Sequence, residues 1–301
     1  MTGRALGLAF AGLLTANVAL ALGPWLVRLS DTGPVAAGFW RLALALPFLV
    51  LLARRETGAM PRLPRATVWP VAAAAVFFAL DLASWHIGIE RTRLGNAALF
   101  GNAGSVILVA FGLIAARRMP HALELGAVAA AIAGAALLMG GSLEIGPRYL
   151  VGDLFCLVAG VLYAGYILML RPARGAKIGQ WTLLAWTGAI GAPVLLGISL
   201  FLGETVMPRD WTPLIALMLG SQLIGQGLLI WALAHFRPLV IGLALLTQPA
   251  VAALAGWLAF GETVSALDTL GMVLLAGALV LARVAEPRAV RAVAPTGRET
   301  A

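Results

Sequence analysis

Runs of about 20 apolar residues recur along this chain at intervals of about 30 residues, from its beginning to about residue 284. A helix of that length spans the hydrocarbon layer of a bilayer, and no other feature of the sequence restricts the fold as tightly. In lipid every backbone N–H and C=O must find a partner within the protein, and runs this long satisfy that rule as helices. Ten spans are expected, near residues 5–27, 34–53, 66–89, 94–116, 120–140, 152–170, 178–202, 211–235, 238–260 and 264–284. The 301 residues are 61% hydrophobic and only 11% charged, above the apolar share of a soluble domain. The longest connection is short, residues 53–65, so no soluble domain fits between the spans and the helix bundle itself must do the work.

A net charge of +8 would suit nucleic acid, but its distribution points to the membrane instead. With the N-terminus inside, fifteen basic residues fall in cytoplasmic segments, among them Arg54, Arg55, Arg117, Arg118, Arg171, Arg174 and Arg237. Five fall outside: Arg28, Arg91, Arg93, Arg148 and Arg209. Both termini are therefore expected in the cytoplasm of a bacterium, with the chain in its cytoplasmic (inner) membrane and no nucleic-acid partner. A cleaved leader is the competing reading of the start, since Arg4 precedes an apolar stretch that ends in Ala19-Leu20-Ala21. The run is long for a leader and has a partner later in the chain. The single cysteine, Cys156, rules out an intramolecular disulfide.

That later partner belongs to an internal repeat. AGLLTA at residues 11–16 returns as AGVLYA at 159–164. Rarer residues are better witnesses: Trp40 and Pro47 are matched by Trp186 and Pro193, and Trp85 by Trp231, all displaced by 146. Five spans is an odd number, so the second copy starts from the opposite face and is inverted. Inverted repeats that exchange conformations can open a central site to either side, which is a transporter's architecture. The expected fold is an all-α polytopic membrane protein of ten transmembrane helices, in two inverted five-helix repeats at 5–140 and 152–284, with a cytoplasmic tail at 285–301.

The second span, WRLALALPFLVLLARR, the sixth, GDLFCLVAGVLYAGY, and the ninth, TQPAVAALAGWLAFGE, resemble the EamA-type members of the drug/metabolite transporter superfamily, as do the two five-helix repeats. The resemblance covers roughly residues 5–284 and implies that family's fold. It implies a cargo only broadly, since the family's substrates range over amino acids, other metabolites, nucleotide sugars and toxic cations. The first, third, fourth, sixth, eighth and ninth helices surround the pathway in the resembled family. One departure stands out: Gly104 occupies the position that Pro249 holds in the ninth span.

Polar residues inside the spans are the candidates for function. Asp81 lies roughly 12 Å below the outer surface and Arg41 roughly 10 Å below it, from their distances to the span ends. Each is the other's expected partner. A structural ion pair is one reading; a second has the pair open to grip a zwitterion, Arg41 taking a carboxylate and Asp81 an ammonium. A third couples transport to protons through Asp81, but a guanidinium in contact favours the ionised carboxylate, so it requires that the two not touch. His86 lies about 140° around the helix from Asp81 and is expected near the outer interface, whereas Ser84, Trp85 and Gly88 share the face of Asp81.

At the repeat offset Arg41 becomes Thr187 and Asp81 becomes Gly227, so the second half offers neutral groups instead. These are Gln222 and Gln226, four apart on one face, and Gln248, with Asn17, Asn102, Tyr163 and Tyr166 adding amides and phenols. Buried amides in lipid also pair helices, which is the bland reading of each. Arg41, Asp81, Trp85, Asn102, Tyr163, Gln222, Gln226 and Gln248 are taken as the substrate-binding set. Gly126, Ala130 and Gly134 form a small-residue ridge suited to close packing inside the bundle or to a homodimer contact.

Nothing points to an enzyme. The three histidines are scattered, no HExxH or Walker sequence occurs, and no second acid stands near Asp81 to hold a metal, so no cofactor is expected. The expected partners are the lipid bilayer and a small-molecule substrate. The expected function is secondary transport, most simply outward, of a small zwitterion such as an amino acid. Export of organic cations or drugs, and a non-transporting membrane scaffold, are the alternatives.

Overall fold

The computed structural model describes residues 3–59, 62–92, 97, 100–115, 119–140, 147–248, 250–251 and 265–293. Among them every regular element is helical: α1 Gly3–Ala21, α2 Gly23–Leu29, α3 Pro34–Thr57, α4 Arg65–Arg91, α5 Ala103–Ala115, α6 Ala122–Gly140, α7 Leu150–Gly175, α8 Gln180–Phe201, α9 Thr212–Ala232, α10 Pro238–Leu245 and α11 Ala266–Val293. Six helices are long and apolar enough to cross a membrane: Gly7–Leu29 (α1 with α2), α3, α4, α7, α8 and α9. They coincide with six of the expected spans. Three further spans carry shorter apolar helices, Ala103–Ala115, Ala122–Leu137 and Thr269–Ala278. The ninth begins as α10; most of its remainder, Pro249 included, lies outside the described residues, as do most of 93–99 and the end of the tail.

Burial is arranged for an apolar solvent. Large apolar side chains such as Phe48, Val76, Val161, Leu200 and Val273 face outward, whereas Asn17, Arg41, Asp81, His86, Gln222 and Gln226 are buried. The core that surrounds them is aliphatic and aromatic, with Leu13, Leu42, Leu49, Phe78, Tyr166, Leu183 and Leu195 fully enclosed.

Helices α3 and α8 pack side by side and antiparallel, and their ends are built alike. Each starts from a glycine in extended conformation with no side-chain cap of its own, Gly33 (φ −61°, ψ 154°) and Gly179 (φ −59°, ψ 146°). Each also finishes at a left-handed glycine, Gly58 (φ 70°) and Gly203 (φ 68°), the conformation that only glycine adopts without strain. Beside the second of these sits Glu204, which reaches the start of α3 and accepts the N–H groups of Val35 (3.2 Å) and Ala36 (2.8 Å). At the opposite end the Glu56 carboxylate lies directly against Gly179, the start of α8. Each helix thus places a carboxylate on the N-terminus of the other, where the helix dipole and unpaired N–H groups favour negative charge. A methyl group at Gly33 or Gly179 would overlap that carboxylate.

The connections fall at two ends of the bundle. At one end Arg28 donates to the Ile89 carbonyl, Trp40 Nε1 to the Val206 carbonyl (2.6 Å), and Thr92 to Asp153. At the other, Arg171 donates to the Phe236 carbonyl (3.1 Å), Arg174 to that of Ile230 (3.0 Å), and Arg237 pairs with buried Glu124 (2.9 Å). The ridge on α6 faces α11: a Cβ at Gly134 would come within 2.7 Å of the Gly271 carbonyl oxygen. Its small residues serve packing within the chain.

Candidate functional site

Arg41 projects from α3 into the bundle and is 6% exposed; Asp81, on α4, is 7% exposed. Both are fixed by helices whose other residues on that face are small or apolar, including Gly38, Ala45, Phe78 and Leu82. The expected ion pair between them is not formed. Arg41 instead donates from Nε to Gln222 Oε1 on α9 at 3.1 Å, and its guanidinium lies 5.7 Å from the centre of the Phe78 ring. Asp81 has no hydrogen-bond partner among the described residues, although its charge and that of Arg41 act on each other.

A second set of contacts ties α7 to α9. Tyr166 donates its hydroxyl to Gln226 Oε1 (3.3 Å), and Gln226 Nε2 donates to the Tyr163 hydroxyl (3.3 Å), so both ends of that amide are held. Tyr166 also stacks on Phe78, with ring centres 4.4 Å apart and planes 18° apart. Arg41, Phe78, Tyr166, Gln226 and Gln222 therefore form a ring of contacts through α3, α4, α7 and α9. Met218–Gln226, the part of α9 that carries both glutamines, is wound as a π-helix with i→i+5 bonding, a form that concentrates at functional sites. Its glycines admit neighbours closely: Gly225 faces Leu20 of α1, and a Cβ at Gly227 would come within 2.7 Å of the Trp181 ring.

Five of the eight expected residues meet here: Arg41, Asp81, Tyr163, Gln222 and Gln226. The other three have no hydrogen bond to them among the described residues. Trp85 is one turn from Asp81 but packs over Gly101 in a layer with Phe100, Trp40 and Trp211. Asn102 stands at the start of α5, where its side chain accepts from Ser105 (3.5 Å). Gln248 is partly buried just beyond α10. Asn17 bonds Thr247, a contact between helices. His86, expected near water, is instead 1% exposed, with Nδ1 2.7 Å from the Pro34 carbonyl oxygen, because α3 and α4 converge at that end. Phe78 and Tyr166 were not in the expected set, yet spacing carried the signal: each lies three residues from a member, Asp81 and Tyr163, on the same helix face.

The charges belong to the first half alone. Thr187, 146 residues after Arg41, is fully buried and its hydroxyl donates to its own helix at Leu184 (3.2 Å).

A bundle of apolar helices with a polar cluster enclosed in its middle defines a class of protein, the polytopic membrane protein. Residues 150–284 match the EamA-like transporter family. Over 207 residues, 68% of this chain and 73% of the relative, the sequence is 25% identical to an uncharacterized transporter of Archaeoglobus fulgidus. A solved structure titled only as the crystal structure of a protein matches 96% of this chain and 100% of its own, with a TM-score of 0.75 at 16% identity, a likeness of fold alone. The second half of the chain, residues 150–284, is thus similar to the EamA-like transporters, and the chain is a multi-pass membrane protein.

Proposed function

We propose that this transporter moves a small zwitterion, an amino acid or a molecule like it, outward across a bacterial cytoplasmic membrane by alternating access. Arg41 takes the carboxylate and Asp81 the ammonium. The observation that carries this reading is two opposite charges buried in one cluster and not in contact. A purely structural pair in so apolar a bundle gains most by closing, since each separated charge carries a desolvation penalty of several kcal/mol. A ligand that brings both signs of charge satisfies both poles at once.

The architecture proposed with it is ten spans in two inverted repeats, residues 5–140 and 152–284, with both termini and the tail from residue 285 in the cytoplasm. The antiparallel packing of α3 on α8 supports it, because these helices are one repeat offset apart and carry the same glycine ends. The pairing of other helices agrees with a two-fold relation: α4 packs on α7 as α9 packs on α1, and α6 on α11. Trp85, Asn102 and Gln248 belong in this reading to the pathway on either side of the polar cluster.

Organic cations are the second reading, favoured by three aromatic rings, Phe78, Tyr163 and Tyr166, close to an acid. A thermal-shift screen of the purified protein with amino acids, organic cations and nucleotide sugars, on wild type and Asp81→Asn, separates the two. A ligand at 100 times its Kd stabilises the native state by about 2.7 kcal/mol, enough to register. An amino-acid shift that disappears in the variant supports the zwitterion. A shift with cations alone replaces it with the second reading, and equal shifts in both proteins make Asp81 structural. Flux of the same compound into liposomes then distinguishes a transporter from a membrane scaffold.

A further inference from the structure

Gln222 is fully buried, yet only one end of its amide is paired. Its orientation follows from chemistry: a guanidinium only donates, so the oxygen must face Arg41 Nε and the NH2 must point away. That NH2 is enclosed with no hydrogen-bond partner among the described residues. An amide that leaves a donor unpaired inside the bundle is oriented by Arg41 and not by the best satisfaction of its own groups.

Arg41 is thereby held on two sides. Gln222 occupies its Nε edge and Phe78 lies against its face, and Phe78 is itself fixed by stacking on Tyr166. What remains is the end of the guanidinium, where Nη1 and Nη2 have no hydrogen-bond partner among the described residues. Two parallel N–H donors at that end match the two oxygens of a carboxylate better than a group with a single acceptor oxygen.

We propose that Gln222 is a positioning residue which, by holding Nε, presents the terminal fork of Arg41 to the substrate and makes the site select a carboxylate over its carboxamide. This rests on the reading of Arg41 as the substrate's anionic pole. With Gln222 removed the guanidinium is free to turn about its stem, and a fork that is no longer aligned loses its advantage over a single hydrogen bond.

The test measures Kd for L-amino acids and their matching amino-acid amides, such as leucine with leucinamide and phenylalanine with phenylalaninamide, on purified protein in detergent. The proteins are wild type, Gln222→Met and, as a control on the same stretch of α9, Ser221→Ala. Wild type and Ser221→Ala should prefer the acid by about tenfold or more, the worth of one well-made charged hydrogen bond. Gln222→Met should cut that preference severalfold, to what the charge of Arg41 gives without an aligned fork, with the amide's Kd little changed. Gln222→Asn keeps a polar amide but is one methylene too short to reach Nε; it should cut the preference as well, and it serves if the methionine variant does not fold. Retention of the full wild-type preference in either folded variant overturns the proposal and leaves the zwitterion reading standing. Failure of wild type to prefer the acid, or to bind either member of any pair, overturns both.

Discussion

Arg41 and Asp81 respond very differently to being changed one at a time and together. Either single replacement leaves a buried charge without its opposite and should lower Tm, so lost flux in such a variant says little about substrate. Arg41→Met with Asp81→Leu removes both desolvation penalties. We predict that this double variant keeps a Tm near that of wild type and shows only background flux in liposomes; wild-type flux would make the pair structural. Gln226 offers a second test. Tyr166→Phe leaves its carbonyl without a donor inside the bundle, at about 1–3 kcal/mol. Tyr163→Phe, at a phenol that is only partly buried, should cost less, and the two melting temperatures compare them directly. The sequence made the members of this cluster legible because a charge or amide in an apolar helix stands out against its neighbours. It did not reveal their pairing. That Arg41 bonds Gln222 and not Asp81, and that His86 turns to the Pro34 carbonyl, depends on where four helices cross.

At the scale of the helix, the instructive pair is α3 and α8. The 146-residue offset was readable from Trp40, Pro47 and their partners, but the matched ends at Gly33 and Gly179 acquire meaning only when each is seen beneath a carboxylate from the other helix. The two sites should not respond equally to alanine. At Gly179 the overlapping group is the far end of the Glu56 side chain, which can swing away at the loss of a charge–dipole contact, about 0.3–1 kcal/mol. At Gly33 the overlap includes Glu204 Cβ, close to the backbone, so the loop itself must move and two hydrogen bonds are lost with it. Gly33→Ala should therefore lower Tm more than Gly179→Ala, and equal or reversed shifts would contradict this account of the contact. The π-helical winding of Met218–Gln226 was not readable either. Its sequence, with glycines flanking two glutamines, fits an ordinary helix equally well, and the close approach of Leu20 to Gly225 and of Trp181 to Gly227 is a tertiary contact that no local pattern announces.

For the molecule as a whole, the membrane orientation can be tested directly. Cys156 is fully buried, so the chain's single thiol gives little background to a polar maleimide. Cysteines placed at Ala59 and at Met207, both exposed and at opposite ends of the bundle, should be labelled from the cytoplasmic side and from outside respectively. The reverse pattern would invert the topology, and labelling of both from one side would contradict the antiparallel packing of α3 and α8. By itself the sequence determined the solvent, the spacing of the long apolar helices and the residues able to carry charge into the bilayer, because hydrophobic length and the cost of burying charge are local properties. Which of those residues meet, and that Arg41 and Asp81 stand apart while Gln222 holds one of them, only the tertiary structure decided. A contact between groups 181 residues apart is set by the crossing of helices, and no local rule specifies that crossing.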